Sequence, residues 1–454
     1  MITKNLLYIL QIENYSLGAF LKFSYSHFNW CNLEKRSKIV WTFKAKLIYI
    51  LAGFLSLAVI TASYAIFGYI GLISTIIIIP FIPLIISLAL IIWLPLDFYL
   101  KNRLIDKARK IISERKNNLI VIGITGSYGK TSVKEILAAI LKEKLKVVVP
   151  DKNINTDTGI ADFIVKNKGS ISQSDVFIVE MGAFKQGEIK KICDIVYPDY
   201  GILTGITDAH LEKFGSLENI IKTKFELSEL TKNFIALNFD DENIKSNYEK
   251  FKIKDFTGVS SVEVENVKIL ENFSGIEFKF KGVEFHTKLL ALHNVSLILL
   301  CIEIAKKMGM SLAEISKGVE KINYTQHRLE PIYNKQTNIW VIDDSYNGNF
   351  KGVKSGIEVL ERTVGRKVIL TPGLVELGEK SREVHNKIGQ LYEESKVDLI
   401  LLIKNKATKY IIEKLKIKKY KIYNSTIEAH NDLVNVLKSG DTIIFQNDLP
   451  DNYF

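Results

Sequence analysis

GITGSYGKTSVKE, residues 123–135, decides how the chain is read. It follows an apolar run, Leu119-Ile120-Val121-Ile122, and leads into an apolar-periodic segment from Val133 to Leu141. That order is a strand, a glycine turn and the start of a helix. Glycines let backbone N–H groups close around phosphate oxygens, and the following helix offers its positive N-terminus. Gly126, Ser127, Tyr128, Gly129, Lys130, Thr131 and Ser132 are therefore candidate nucleotide contacts. In that role Lys130 reaches the outer phosphates and the Thr131 hydroxyl takes Mg²⁺. The spacing departs from the standard phosphate loop, because the glycine expected five residues before Gly129 is Ile124. The bland alternative is a glycine turn with a chance Gly-Lys-Thr.

Segments downstream favour the nucleotide reading. Val176-Phe177-Ile178-Val179 has a buried-strand pattern and ends at Glu180. A carboxylate at a strand's C-terminal end, beside a phosphate loop, is where an α/β sheet places a metal ligand. A further apolar strand from Tyr200 to Leu203 leads to His210. A lone histidine is more often structural than a ligand, but this one shares the edge with Glu180 and Thr131.

With 454 residues the chain exceeds one ordinary core, so two or three domains are expected. Its 24% charged and 47% apolar residues suit a globular protein and exclude a disordered one. Cys31, Cys193 and Cys301 lie far apart with no CxxC pair, which argues against a disulfide framework or a cysteine zinc site. The net charge of +11 raises the question of nucleic acid or an anionic membrane. The lysines read as spread along the chain, hence as solvated surface, and no nucleic-acid partner is expected.

Residues 47–96 carry no charged side chain. One membrane-spanning helix needs roughly 20 apolar residues, so this run holds two. Gly68 and Gly71 mark the turn, and Pro80 and Pro83 start or kink the second span. Lys35, Arg36, Lys38, Lys44 and Lys46 precede the run, while Lys101, Arg103, Lys107, Arg109 and Lys110 follow it. The positive-inside rule puts both flanks, and the globular remainder, in the cytoplasm. The aromatic-rich residues 1–42 read as a membrane-surface or partner-contacting segment.

The stretches GITGSYGKTSVKEIL, VEMGAFKQGEIKKICDIVYPDYGILTGITDAHLEKFGSLENIIKTKFEL, LHNVSLILLCIEIA and IDDSYNGNFKGVKSGIEVL together resemble the Mur ligases. The resemblance runs from about Leu119 to the end of the chain. It accounts for Ile124, since that family's loop has the shorter Thr-Gly-x-x-Gly-Lys-Thr form. Within the family the pattern is nearest to members that add D-alanyl-D-alanine to a UDP-muramoyl tripeptide in peptidoglycan synthesis. Such enzymes spend ATP, with Mg²⁺, to make an acyl phosphate that an amine then attacks.

The resemblance implies roles residue by residue. Lys130 contacts the phosphates, Thr131 and Glu180 hold one Mg²⁺, and His210 matches the ligand of a second. Lys224 in IIKTKFEL matches a lysine that the family carbamylates, with Lys222 as competitor. Asn294 lies near the adenine, and a helix-cap role is the bland alternative. Arg328 stabilises phosphate charge once the last domain closes. Asp344 faces the nucleotide and reaction centre, beside Asp343. Tyr346, Asn347 and Asn349 line the same loop, while Asn155 and Thr156 stand for substrate contacts. Glu376 and His385 fall in the region that admits the incoming amine. Two departures stand out. The membrane hairpin occupies the place of the family's UDP-sugar domain. In residues 152–164 Thr156 and Ala161 replace an expected Asn and Pro.

The expected architecture is α/β: a phosphate-loop central domain and a C-terminal Rossmann-like domain, preceded by a two-helix transmembrane segment. Residues 1–115 form the membrane segment, with spans at about 47–70 and 72–96. Residues 116–325 form the ATP domain, including a β-rich excursion at about 255–290, and 326–454 the last domain. The expected protein is a monomeric amide ligase on the cytoplasmic side of the inner membrane. A membrane-anchored synthase of a poly-amino acid such as poly-γ-glutamate is the second reading, and a scaffold with a degenerate nucleotide fold the third.

Overall fold

The structure is a computed structural model. It describes residues 2–13, 15–26, 30, 39–115, 118–151, 154–208, 211–271, 273–346, 348–375 and 377–447. These form two compact units, one up to Arg103 and one from Leu104 to Asp448.

The first unit contains α1 (Ile2–Ile12), α2 (Leu17–Ser26), α3 (Phe43–Phe67) and the beginning of α4 (Ile82–Glu114). The Thr42 hydroxyl caps α3 by accepting the Ala45 N–H at 3.1 Å. Gly68, at a φ of 59°, ends it. Pro80 lies in a 3₁₀ turn, and Pro83 sits in the first turn of α4, where a missing N–H breaks no helical bond. The spans Phe43–Gly71 and Ser74–Glu114 are long and apolar enough to cross a membrane. The second helix does not stop with the apolar run at Leu96. It continues to Glu114, because lysines, arginines and glutamates are good helix formers. Leu6, Leu7, Leu10 and Phe20 of α1 and α2 pack on Ala45, Ile48, Ile86 and Leu90 of the spans. Much of the aromatic N-terminal segment is thus covered by the hairpin itself.

The second unit carries two main sheets. In the first, β1 (Ile120–Thr125), β2 (Val147–Val148), β3 (Val176–Met181), β4 (Tyr200–Leu203), β5 (Phe234–Asn238) and β6 (Phe256–Val259) run parallel in the order β2-β3-β1-β4-β5-β6. All six residues of β3 are buried, as befits a parallel strand covered on both faces. One face packs α5 (Lys130–Leu141), α10 (Asn294–Lys307) and α11 (Leu312–Glu320). The other packs the last turns of α4 with α6 (Asp157–Lys166), α7 (Glu188–Val196) and α8 (Leu217–Leu230). Ile124 is fully buried on the α5 side, in register with Glu180 and Ile202. It is strand rather than loop, which is why no glycine stands there. The short α9 (Glu242–Lys245) follows β5. Of the predicted β-rich excursion, β6 joins this sheet, while β7 (Glu265–Leu270), β8 (Gly275–Phe280) and β9 (Val283–Thr287) form a separate antiparallel sheet.

The second main sheet has the order β10-β11-β15-β12-β13-β14, from β10 (Glu330–Asn334), β11 (Ile339–Asp344), β12 (Lys367–Thr371), β13 (Leu399–Ile403), β14 (Lys419–Tyr423) and β15 (Thr442–Gln446). Only β10 is antiparallel, as a hairpin with β11. Its helices are α12 (Phe350–Glu361), α13 (Ser381–Glu394), α14 (Lys406–Ile412) and α15 (Thr426–Val436). The chain jumps from β11 to β12 and returns through β15 between them. That makes a switch point, where crevices open at strand C-termini.

Candidate active site

The phosphate loop is shaped by its neighbours. Gly126 has a φ of 152°, and a Cβ there would fall 2.1 Å from Thr204 Oγ1. The Ser127 N–H donates to the Gly205 carbonyl at 2.7 Å, and the Thr204 hydroxyl lies within hydrogen-bond reach of the carbonyls of Thr125 and Tyr128. The Tyr128 ring lies over Gly205, and its hydroxyl donates to Asp241 Oδ2 at 2.9 Å. Burial raises that hydroxyl's pKa, with Asp241 adding to the effect. Gly129 holds the N-cap of α5 at a φ of 77°, and no side chain caps that helix. Its N–H groups and dipole are left for an anion.

Three side chains converge beside this open helix end. Lys130 Nζ donates to the Gly126 carbonyl at 2.7 Å. Burial lowers its pKa, Glu180 opposes that, and Arg328 adds to it. The Thr131 hydroxyl donates to Glu180 Oε2 at 3.0 Å, and Asn155 Nδ2 donates to Oε1 at 3.3 Å. A hydroxyl and a carboxylate this close are hard oxygen donors that fit Mg²⁺. His210 lies outside the described residues. Among the described residues, no group of three or more His, Cys, Asp or Glu stands ready to hold a metal.

Lys224 and Lys222 separate clearly. Ser216 caps α8 by accepting the Asn219 N–H at 3.2 Å. Lys222 pairs with Glu218 at 2.7 Å on the solvent side. Lys224 is only 3% exposed, on the inner side. Burial, then the charge of Lys130, lowers its pKa to about 7 against the pull of Glu188 and Glu226. An amine that is half neutral near pH 7 is a nucleophile toward CO₂.

The C-terminal sheet supplies the opposite wall. Arg328 follows His327 and precedes Leu329, both at positive φ (61° and 50°). Its guanidinium lies 4.5 Å from the centre of the Tyr346 ring. Asp344, ending β11, is raised to about 7 by desolvation, against the Arg328 charge and the Leu329 N–H. Asp343 instead accepts from the Ser345 hydroxyl at 2.6 Å and pairs with His327 Nδ1 at 2.7 Å. Although desolvation opposes it, these bonds hold its pKa below the usual value. Alternation along β11 puts the two carboxylates on opposite faces. On the Asp343 side a crevice of about 260 Å³ opens at the strand ends, bordered by Ser345, Pro372, Ile403, His430 and Asn447.

Two family descriptions match the chain: the Mur ligase middle domain over residues 124–305, and the Mur ligase glutamate ligase domain over residues 327–446. The chain belongs to the Mur ligase family. It is 27% identical over 333 residues to the UDP-N-acetylmuramoyl-tripeptide–D-alanyl-D-alanine ligase of Escherichia coli K12, covering 69% of this chain and 72% of that one. It is 31% identical over 303 residues to the ligase of the same name from Buchnera aphidicola, covering 64% of this chain and 65% of that one. The MurF ligase of Thermotoga maritima, solved in complex with ADP, superposes with a TM-score of 0.67 at 24% identity, over 77% of this chain and 80% of that one. That last likeness is one of fold.

Other candidate residues of this Mur ligase are already committed to the backbone. Thr156 caps α6 by accepting the Gly159 N–H at 3.2 Å, and Asn349 caps α12 by accepting the Gly352 N–H at 2.9 Å. Asn294 is the first residue of α10 and buried. The alternative cap role is not what the structure shows, since His293 holds the cap position without a side-chain cap bond. His293 Nδ1 instead lies 3.1 Å from Ser355 Oγ on α12. His385 is buried, accepts the Leu374 N–H through Nε2 at 2.9 Å, and so shapes the loop after β12. Asn347 and Glu376 lie outside the described residues. Two features escaped the sequence reading. Lys134, one helical turn beyond Lys130, is buried 3.6 Å from Glu180 Oε2 and donates to the Pro150 carbonyl at 3.2 Å. Its i+4 spacing from Lys130 was the available signal. The other is Lys351 on α12, 3.2 Å from the Asp241 oxygen that Tyr128 also bonds. Nothing in its sequence neighbourhood announces that contact.

Proposed function

We propose that this chain is an ATP-dependent, ADP-forming amide ligase of the MurF type, adding D-alanyl-D-alanine to a UDP-muramoyl tripeptide. The observation that carries the proposal is the convergence of Lys130, Thr131 and Glu180 at the uncapped end of α5, with Arg328 near enough to perturb Lys130. The tripeptide's terminal carboxylate oxygen attacks the γ-phosphorus of ATP, the bond to the β-phosphate oxygen breaks, and ADP leaves. The dipeptide amine, having lost a proton, attacks the acyl-phosphate carbonyl; an amide forms and inorganic phosphate departs. Lys130, the loop N–H groups and Arg328 neutralise charge that spreads over the transferring phosphoryl oxygens. Thr131 and Glu180 are the residues that would hold Mg²⁺, which supplies further charge neutralisation when bound. His210 would hold a second Mg²⁺, and Lys224, as its carbamate, would bridge or orient metal. Asn294 and Asp344 serve the nucleotide, and Asn155, Thr156, Tyr346, Asn347 and Asn349 the substrates.

In this reading residues 1–115 anchor the enzyme in the inner membrane. Residues 116–325 and 326–454 form a monomeric catalytic part in the cytoplasm. The full chain in detergent, given ATP, Mg²⁺, UDP-muramoyl tripeptide and D-Ala-D-Ala, is expected to release phosphate only when both substrates are present. No release from a folded, nucleotide-binding preparation overturns the proposal. The hairpin favours a second reading, a membrane-anchored poly-amino-acid synthase. Turnover with glutamate and not with the dipeptide would establish that one.

A further inference from the structure

One stretch of the C-terminal domain is unusually basic. Residues 404–421 contain eight lysines and one glutamate, a net +7 out of +11 for the whole chain. These residues run from the end of β13 through α14 and the turn at 414–418 to β14, the edge strand, which pairs with β13 alone. Lys404, Lys406, Lys409, Lys414, Lys416, Lys419 and Lys421 are exposed, and Lys418 is half-buried. Among the described residues only Lys421 of this set has an ion pair, with Asp432. Glu393 accepts the N–H groups of Lys416, Ile417 and Lys418, and so fixes the turn's shape. Glu413 pairs with Arg382.

Apolar side chains stand between the lysines. Ile417 is 87% exposed, Tyr420 42% and Ile422 45%. Tyr420 and Ile422, two apart on β14, share one face. An edge strand is commonly defended by a lysine or two against pairing with another chain. That defence explains neither a net +7 nor an isoleucine held open at the turn. Lysines around exposed aliphatic and aromatic groups suit an anionic bilayer surface, where ammonium groups meet headgroups and apolar tips enter the interface. Nucleic acid suits it less well, because the stretch has no arginine and its most exposed apolar group is aliphatic. The same chain carries two helices able to cross a membrane, which keep the domain at high effective concentration near a bilayer.

We infer that the basic edge of the C-terminal domain, centred on the 414–418 turn and β14, docks on the anionic leaflet of the membrane that holds the hairpin. The partner is a bilayer rich in acidic phospholipid. The ligase domain is then held at the surface by two contacts, one buried and permanent, the other electrostatic and dependent on lipid composition.

The test uses the full chain with Cys31→Ser and Ile417→Cys, labelled at 417 with an environment-sensitive fluorophore. Cys193 and Cys301 are buried and do not compete for the label. The protein is mixed with vesicles of phosphatidylcholine, with or without phosphatidylglycerol, and flotation separately reports insertion of the hairpin. Emission is expected to rise about twofold or more only with phosphatidylglycerol, and to fall back in roughly 0.5 M salt, where the Debye length is about 4 Å. Lys416→Glu, Lys418→Glu and Lys419→Glu together should abolish the rise while leaving flotation and phosphate release unchanged. Equal emission on both vesicles overturns the inference, as does a rise on adding RNA to phosphatidylcholine vesicles. If the chain fails to float on phosphatidylcholine, the hairpin reading fails. The emission on phosphatidylglycerol still decides the docking.

Discussion

Thr131 and Thr156 both stand at the start of a helix in the central domain, and they are used in opposite ways. Thr156 spends its hydroxyl on the Gly159 N–H and closes the end of α6. Thr131 turns its hydroxyl to Glu180, and the helix it begins has no side-chain cap. The same contrast separates Asn155, bonded to Glu180, from Asn349, the cap of α12. On the phosphate side, helix N–H groups and polar side chains remain available to a ligand. On the side proposed for the acceptor, much of that capacity goes to holding loops in shape. A charged ligand can be bound by what a helix end leaves unsatisfied. A small dipeptide needs a shaped crevice, and shape is made by loops that are themselves pinned.

The largest expected effect follows from the open helix end. Lys130→Ala removes the one ammonium that reaches across the loop, and ATP turnover should fall about 10³-fold. Among the described residues its ammonium donates only to the Gly126 carbonyl, so the melting temperature should barely move. Turnover that survives the change would erase the contrast, because the uncapped helix would then not be the phosphate site.

Lys224 should come next. Its folded pKa of about 7 lies below the ordinary value of 10.5. Between those pH values the unfolded chain binds a proton that the folded one does not, so this group makes stability rise with pH across that window. Below pH 7 the buried amine is protonated and cannot add CO₂. Turnover should therefore drop as pH falls through 7, and removal of bicarbonate should depress it further at pH 7 to 8. Lys224→Arg, which cannot form a carbamate, should lose about 10²-fold and no longer respond to bicarbonate. Equal bicarbonate dependence in Lys224→Arg would remove Lys224 from the phosphate side.

The sequence makes one side of this comparison legible and leaves much of the other hidden. Lys130, Thr131 and Glu180 can be read because a strand, a glycine turn and a helix place them by local spacing. The resemblance pointed to Lys224 rather than Lys222, but the physical difference between them is burial, since both sit in one apolar-periodic helix. Lys134 and Lys351 were missed for a related reason. Their partners, Glu180 and Asp241, lie 46 and 110 residues away, and only the folded sheet brings them near. The two long apolar helices were legible from hydropathy, but not the end of α4, because the helix outlasts the apolar run. Thr156 and Asn349 were read as substrate contacts from a resemblance. A residue type suited to binding is equally suited to capping, and sequence alone does not say which role prevails.

The smallest effects test that last ambiguity. If Thr156 and Asn349 are caps first, Thr156→Ala and Asn349→Ala should each cost about 1 kcal/mol in denaturant unfolding. Replacement by serine or aspartate, which also cap, should restore most of it. The KM for either substrate should then follow loop order and move only slightly, while kcat holds. Asn155→Ala is the control from the other side: its bond is to Glu180, so the Mg²⁺ concentration needed for half-maximal turnover should rise with little loss of stability. Suppose instead that Thr156→Ala or Asn349→Ala raised a substrate KM more than about tenfold, or 1.4 kcal/mol, with unfolding unchanged. The cap bond would then be incidental, and that residue would belong with Asn155 and Thr131 among the groups reserved for ligands.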